Sequence, residues 1–387
     1  MNQKELELYI HIPFCVKKCS YCDFLSAPAT EQTREAYMAA LFAEIGGRAK
    51  DYSDRTVTSI FIGGGTPSLL SGEQIGQLMD RIREQFAIAQ DAEITMEVNP
   101  GTASAEKLRN FYTAGINRLS IGMQSAQAEE LKNLGRIHDF EGFCQVYREA
   151  VEAGFTNINV DVMSGLPGQT LASYRDTLEK VLHLEPMPQH ISAYSLIVEE
   201  GTPFAAMAER GELPLPEEET ERAMYEETIE VLAKYGFHRY EISNYARDGY
   251  ECRHNVGYWI RRDYLGFGIG AASLIDNVRF QNEKSLGAYL AHPLESREEE
   301  QTLTVQDRME ETMFLGLRLT RGVSCVDFAE QYGRTVEEVY GEVIARNVAD
   351  GLLTVTERKE NQKKDRFLAL TKRGLDLSNY VMAQFLF

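Results

Sequence analysis

The sequence predicts an α/β protein: a partial (β/α)6 barrel followed by a smaller, winged-helix-like α+β domain. Three observations predict it. Six apolar, β-rich runs alternate with helical spacing before residue 200, the pattern of a parallel sheet built from βαβ units. Distinctive polar groups recur at the carboxyl ends of those runs, where parallel barrels build their sites. Towards the C-terminus the pattern changes to helices and then a hairpin. Six units suit an open barrel better than a closed eight-fold one. The divisions expected are a barrel over 1–235, a barrel extension and linker over 236–300, and the C-terminal domain over 301–387.

In order, LELYIHI opens the barrel as strand one, and a cysteine loop follows. Residues 31–48 read as an amphipathic helix, TVTSIFI (56–62) as strand two and 71–86 as a helix. ITMEV (94–98) is strand three, closed by Asn99-Pro100-Gly101, with a helix over 104–113. INRLSIGMQS (116–125) is strand four, followed by helices over 126–134 and 139–153. FTNINVDVM (155–163) and HISAYSLIV (190–198) are strands five and six, with a helix over 170–184 between them. Residues 216–237 form a long helix with an acidic start that suits a helix N-terminus. FHRYEISNYA (237–246) reads as a strand flanking the sheet, GFGIGAAS (266–273) as close backbone packing, and HPLESREEEQ (292–301) as a linker. Residues 305–319 are helical, 324–350 carry two more helices, and the end is a β-hairpin with a basic tip and a final helix.

Composition narrows the function. A charged content of 26% and a formal net charge of −19 fit a folded acidic protein and disfavour non-specific nucleic-acid binding. The basic hairpin residues Arg358, Lys359, Lys363, Lys364 and Arg366 therefore read as a solvated hairpin or a surface for a protein partner. The start MNQKELELYI has no apolar secretory segment, and no stretch is apolar enough to span a bilayer. A reducing cytoplasm is the expected compartment, with peripheral membrane contact left open.

Three of the six cysteines, Cys15, Cys19 and Cys22, are spaced C-x3-C-x2-C. Three thiolates can hold a four-iron cluster with one iron left open, or structural zinc with one distant ligand. Cys144, Cys252 and Cys325 are scattered and read as incidental thiols. Gly63-Gly64-Gly65-Thr66-Pro67 after strand two lets backbone groups approach a ligand closely. No Lys-Ser/Thr follows it, so it is not a Walker loop. Glu97, Gln124, Asp161 and Tyr194 sit near the ends of strands three to six and join the cysteines at one rim. Each alone reads as a polar turn residue or cap. Together they mark a site.

C-x3-C-x2-C after the first strand and GGGTP after the second resemble the radical S-adenosylmethionine (SAM) superfamily. YIHIPFC, SYCDF, MEVNP, RLSIGMQS and DVMSGLPGQT resemble one branch of it, which holds the oxygen-independent coproporphyrinogen III oxidases and the HemW-type haem chaperones. The resemblance implies a [4Fe–4S] cluster on Cys15, Cys19 and Cys22, with SAM chelating the open iron and cleaved to methionine and a 5′-deoxyadenosyl radical. It implies that Tyr9, Gly64 and Glu97 contact the cluster-bound SAM. Tyr21, Gly65, Thr66, Gln124, Arg136 and Asp161 match positions that contact a second SAM in the oxidase. The oxidase motif continues C-x3-C-x2-C-x-C, whereas here Phe24 stands at the last position. The oxidase also carries an extension before its first strand, which here begins within the first ten residues. Both departures resemble the chaperones. So does His254-Asn255-Val256-Gly257-Tyr258-Trp259, an H-N-x-x-Y-W motif associated with haem. A neutral imidazole can ligate haem iron, and the single tryptophan and Tyr258 offer flat faces to a porphyrin. The resemblance thus implies haem contact by His254, Tyr258 and Trp259, and delivery of haem to an acceptor protein. The alternatives are a coproporphyrinogen III oxidase and a zinc-stabilised barrel with an interaction domain.

Overall fold

The computed structural model describes residues 4–360 and 363–387, and up to residue 200 it follows the expected alternation. Strands β1 (Lys4–Ile12), β2 (Arg55–Gly64), β3 (Ala87–Val98), β4 (Arg118–Gln124), β5 (Ile158–Ser164) and β6 (His190–Ser195) lie side by side in chain order. Each is parallel to the next. They alternate with α1 (Glu31–Arg48), α2 (Gly72–Gln85), α3 (Ala105–Thr113), α4 (Ala128–Leu134) with α5 (Phe140–Ala153), and α6 (Leu171–Leu182). Thr30, Ser71, Ser104, Asp139 and Thr170 start five of these helices, each side chain accepting a first-turn backbone N–H. Those caps satisfy donors that a helix leaves free.

Strand alternation separates core from site. Along β1, Leu6, Leu8, Ile10 and Ile12 are fully buried against the helices. Glu7, Tyr9 and His11 take the other face, the concave interior. The same two-residue period turns Ser59 and Phe61 of β2, Glu93 and Glu97 of β3, Arg118 of β4, Asn159 and Asp161 of β5, and His190 and Tyr194 of β6 inward.

The chain continues through α7 (Pro203–Glu209), α8 (Glu218–Lys234), β7 (His238–Arg239), β8 (Asn244–Ala246), α9 (Arg253–Trp259), β9 (Tyr264–Phe267), β10 (Ala272–Ile275), β11 (Val278–Asn282), α10 (Leu286–Ala291) and β12 (Arg297–Thr302). The sheet reaches twelve strands, in the order β12-β11-β10-β9-β1-β2-β3-β4-β5-β6-β8-β7. Two expectations change here, and a third is borne out. The run over 237–246 is two short strands paired antiparallel through a turn, rather than one. The expected linker over 292–301 contains the edge strand β12, antiparallel to β11. GFGIGAAS spans β9, a turn and β10, and its close packing is real. A Cβ on Gly266 would lie 2.3 Å from the Ala272 carbonyl oxygen, and one on Gly268 2.2 Å from the Tyr37 hydroxyl.

The C-terminal part comprises α11 (Val305–Gly316), β13 (Val323–Ser324), α12 (Cys325–Tyr332), α13 (Val336–Ala349), β14 (Leu353–Glu360), β15 (Lys363–Leu370), α14 (Lys372–Asp376) and α15 (Ser378–Ala383). Its sheet, β13-β15-β14, and the helix–strand–helix–helix–hairpin order give a winged-helix arrangement. Met313, Leu317, Phe328, Val381 and Phe385 form a core separate from that of the barrel. Of the basic hairpin residues, Arg366 pairs with Glu337 and Arg358 lies over the Phe367 ring. The side chains of Lys359 and Lys363 lie outside the described residues. Among the described residues no helix is long and apolar enough to cross a membrane.

Candidate functional site

The cysteine loop runs from β1 to α1 and is pinned by backbone hydrogen bonds. Cys15 N donates to Ala27 O at 3.2 Å and Cys22 N to Cys19 O at 3.3 Å. Ser20 N donates to Leu134 O, and Ser20 O accepts from Phe204 N, both at 3.0 Å. The three thiols are unpaired and partly exposed, and all three line a cavity of about 570 Å³ at the carboxyl ends of the strands. Thr66 Oγ1 lies 3.4 Å from Cys15 Sγ, and Arg136 Nη1 3.8 Å from Cys19 Sγ. Among the described residues no three His, Cys, Asp or Glu side chains are grouped to hold a single metal ion.

Eight of the nine SAM-contact residues expected from the sequence face this cavity. Gly64 and Gly65 supply bare backbone at its wall. Gly64 takes φ +112°, and a Cβ there would meet the His11 ring at 2.5 Å. Its N–H donates to Glu97 Oε2 at 3.0 Å. Burial, reinforced by the charge of Asp161, pushes the Glu97 carboxyl up to about 8, against the pull of that N–H. Asp161 is raised by burial too, although Asn159, Ser192, Arg118 and Arg136 oppose it. Both groups are poised to gain from a cation in the cavity. Gln124 sits at the end of β4 with φ 70°, a left-handed backbone rare for a side-chain residue. Its Oε1 accepts from the Tyr194 hydroxyl at 2.9 Å. Arg136 Nη2 donates to Gly122 O at 2.6 Å, and burial holds the Tyr21 hydroxyl well above its usual range.

Tyr9 departs from this group. It lines a second cavity of about 530 Å³ on the β9 side of β1, where its hydroxyl meets His11 Nδ1 at 3.0 Å. Phe24, Gly64 and Glu97 line both cavities, so the two adjoin. Phe24 is 58% exposed at this boundary.

The H-N-x-x-Y-W motif forms α9, which closes the barrel interior below both cavities. Glu93 caps it, its carboxylate accepting from Arg253 N at 3.1 Å and His254 N at 3.2 Å. His254 is 1% exposed, stacked on Phe61 at 5.2 Å, with Nδ1 2.9 Å from Ser59 Oγ. Burial holds the imidazole neutral, its pKa lowered to about 3, and Nε2 has no partner. The three residues expected to contact haem lie in different surroundings: His254 is buried beside Phe61. Tyr258 reaches the second cavity, but Trp259 packs under the Arg318 guanidinium at 4.3 Å. Sequence reasoning missed Arg261, Arg279 and Tyr264 in the second cavity. The adjacency of Arg261 to the motif was the one signal, and Arg279 carried none.

Comparison with known proteins follows the same residues. The radical SAM superfamily model matches residues 9–181, and the HemN C-terminal domain model matches 303–377. The chain is 36% identical to the heme chaperone HemW of Lactococcus lactis subsp. lactis (strain IL1403), over 100% of this chain and 98% of that one. It is 38% identical to heme chaperone HemW of Bacillus subtilis (strain 168), over 98% of each. The chain belongs to the HemW family of radical SAM proteins. Among solved structures, this HemW-family chain is similar to coproporphyrinogen III oxidase (HemN) from Escherichia coli, a radical SAM enzyme. The TM-score is 0.84 and the identity 28%, covering 99% of this chain and 90% of that one.

Radical SAM membership implies a [4Fe–4S] cluster and SAM. The residues present fit both. Three thiols of one loop open onto a single cavity, and beside them lie a bare glycine backbone and two carboxyls held in water-poor surroundings.

Proposed function

We propose that this chain is a haem chaperone, holding a [4Fe–4S] cluster and SAM in the first cavity, binding haem and passing it to an acceptor protein. The observation that carries the reading is similarity along the whole chain to proteins named heme chaperone HemW. Cys15, Cys19 and Cys22 would hold three irons of the cluster. Glu97 and the Gly64–Gly65 backbone suit the ammonium and carboxylate of SAM, and Asp161 and Gln124 suit ribose hydroxyls. Arg136, beside Cys19, would stabilise negative charge at that edge of the cluster. A reduced cluster supplies one-electron cleavage of SAM.

A second reading, coproporphyrinogen III oxidation, draws on the similarity to HemN. Phe24 counts against it, because an apolar ring stands where the oxidase motif has a thiol. One preparation tests both. After anaerobic reconstitution the protein is analysed for iron and sulfide, titrated with haem by absorbance, and assayed for coproporphyrinogen conversion with SAM and a reductant. The chaperone reading expects about four irons per chain, saturable haem binding and no protoporphyrinogen. Robust protoporphyrinogen formation would reverse the ranking, and zinc without sulfide would remove the cluster.

A further inference from the structure

The second cavity shares Phe24, Gly64 and Glu97 with the first, but most of its wall is different. Tyr9, Tyr258 and Tyr264 line it with Leu25, Leu274 and Leu315. Tyr258 and Tyr264 meet edge to face at 4.6 Å. Its volume of about 530 Å³ is in the range of sites that enclose an organic cofactor. Two guanidiniums, Arg261 and Arg279, stand in the same wall. Arg261 is 4% exposed, and its Nη2 is buried with no hydrogen-bond partner. Its backbone takes φ 57°, a left-handed conformation that side-chain residues rarely adopt.

Among the described residues, one carboxylate answers both cations. Glu311 Oε2 lies 2.8 Å from Arg261 Nε, and Glu311 Oε1 lies 2.7 Å from Arg279 Nη1. Glu311 belongs to α11, in the C-terminal part of the chain, and is itself 7% exposed. Asp307, one turn earlier and half-buried, acts on Arg279 at longer range. Arg262, the neighbouring cation, is taken by Glu5 and Glu7. Two buried or half-buried guanidiniums thus share one carboxylate, and an orphaned donor remains. Glu97 also lines the cavity but is paired with neither arginine in the structure; its carboxylate accepts from Gly64 N–H. An anionic ligand would therefore turn its charge to the arginines and its apolar body to the tyrosines.

We propose that this cavity seats the haem, its propionate carboxylates bound by Arg261 and Arg279 in competition with Glu311. The inference rests on the haem reading above and adds a location and an orientation to it. Because Glu311 ties α11 to the barrel through the same arginines, haem entry frees that tie. The C-terminal domain then becomes the part of the molecule that senses loading.

The test is a haem absorbance titration of the full-length reconstituted protein, with haem dimethyl ester as the second probe. Arg261→Gln and Arg279→Gln are each expected to weaken haem binding about tenfold or more, the worth of a charge-assisted hydrogen bond. The ester, whose carboxylates are blocked, should bind the unaltered protein about as weakly, and the arginine variants should not weaken it further. Glu311→Gln should bind haem several-fold more tightly, a gain that misfolding cannot produce. Equal binding of haem and ester by the unaltered protein, with no gain in Glu311→Gln, would overturn the site while leaving the chaperone reading intact. No haem binding by the unaltered protein would overturn both.

Discussion

Gly257, the second variable position of the H-N-x-x-Y-W motif, offers the sharpest test of how α9 closes the barrel. On helix propensity, Gly257→Ala should stabilise the chain by about 1 kcal/mol. The structure reverses that sign. A Cβ at this position would lie 1.9 Å from Glu7 Oε1. Glu7 is fully buried on β1, and Arg262 Nη1 approaches the same oxygen at 3.4 Å. Burial, against the pull of Arg262 and Ser59, pushes the Glu7 carboxyl up to about 8. Forcing an extra methyl into a packed site costs about 1–3 kcal/mol, and stripping a buried oxygen of its partner about 1–3 kcal/mol more. After subtracting the propensity gain, the net loss is about 3 kcal/mol. Urea unfolding followed by fluorescence of Trp259, the single tryptophan, two residues away, measures it. In a Glu7→Ala background the clash is gone, so Gly257→Ala should be neutral or mildly stabilising. That difference between backgrounds is a coupling energy of about 4 kcal/mol, since the propensity gain is common to both. An equal loss in both backgrounds, or a gain in the native one, would refute the steric account.

Two further outcomes follow from the first cavity. Glu97 has its folded pKa raised from 4.5 to about 8. Below pH 4.5 it is protonated folded and unfolded alike; as pH rises to about 8 the unfolded state loses the proton first, so its contribution to stability falls. In the cofactor-free protein Glu97→Gln should flatten that fall, seen in urea midpoints between pH 5 and pH 8, and it should weaken SAM binding about tenfold by calorimetry. An unchanged pH profile would show that Glu97 is solvated. At Gly65 a Cβ would lie 2.8 Å from Phe14 O and 2.9 Å from Ile12 O, backbone atoms that cannot yield without moving Cys15. Gly65→Ala should therefore lose most of its iron on reconstitution with its circular dichroism unchanged, and a full iron complement would contradict this.

The parallel barrel was legible because each strand carries a continuous apolar period and five of the six barrel helices a strong start signal, as at Ser71 and Thr170. Inward polar residues such as Glu97 and Asp161 stood out because they interrupt that period near the strand ends. β12 was unreadable as a strand. REEEQT is exposed along its whole length, so no buried face imposed an alternation. β9 and β10 have four residues each, too short for a period, and lie around turn glycines. The short α7 escaped for the same reason. His254 was legible as a motif but not as a floor residue. Its burial depends on Phe61 and Ser59, nearly two hundred positions earlier. The Arg261–Arg279–Glu311 grouping joins three elements with no local spacing to betray it.

The anchoring of Ser20 has a consequence in time. Its N–H and carbonyl are held by Leu134, at the end of α4, and by Phe204, at the start of α7. A nascent chain exposing the three cysteines therefore lacks the segments that fix their loop. Until α4 and α7 have been made and docked, the loop has its local bonds from Cys15 to Ala27 and from Cys22 to Cys19 but lacks the two at Ser20 that help offset its closure entropy. The last of these anchors, Phe204, follows all six parallel strands in the chain, so the loop is fully tied only after they have been made. Iron and sulfide would enter a folded protein through the open mouth of the cavity, which makes cluster insertion a maturation step distinct from folding.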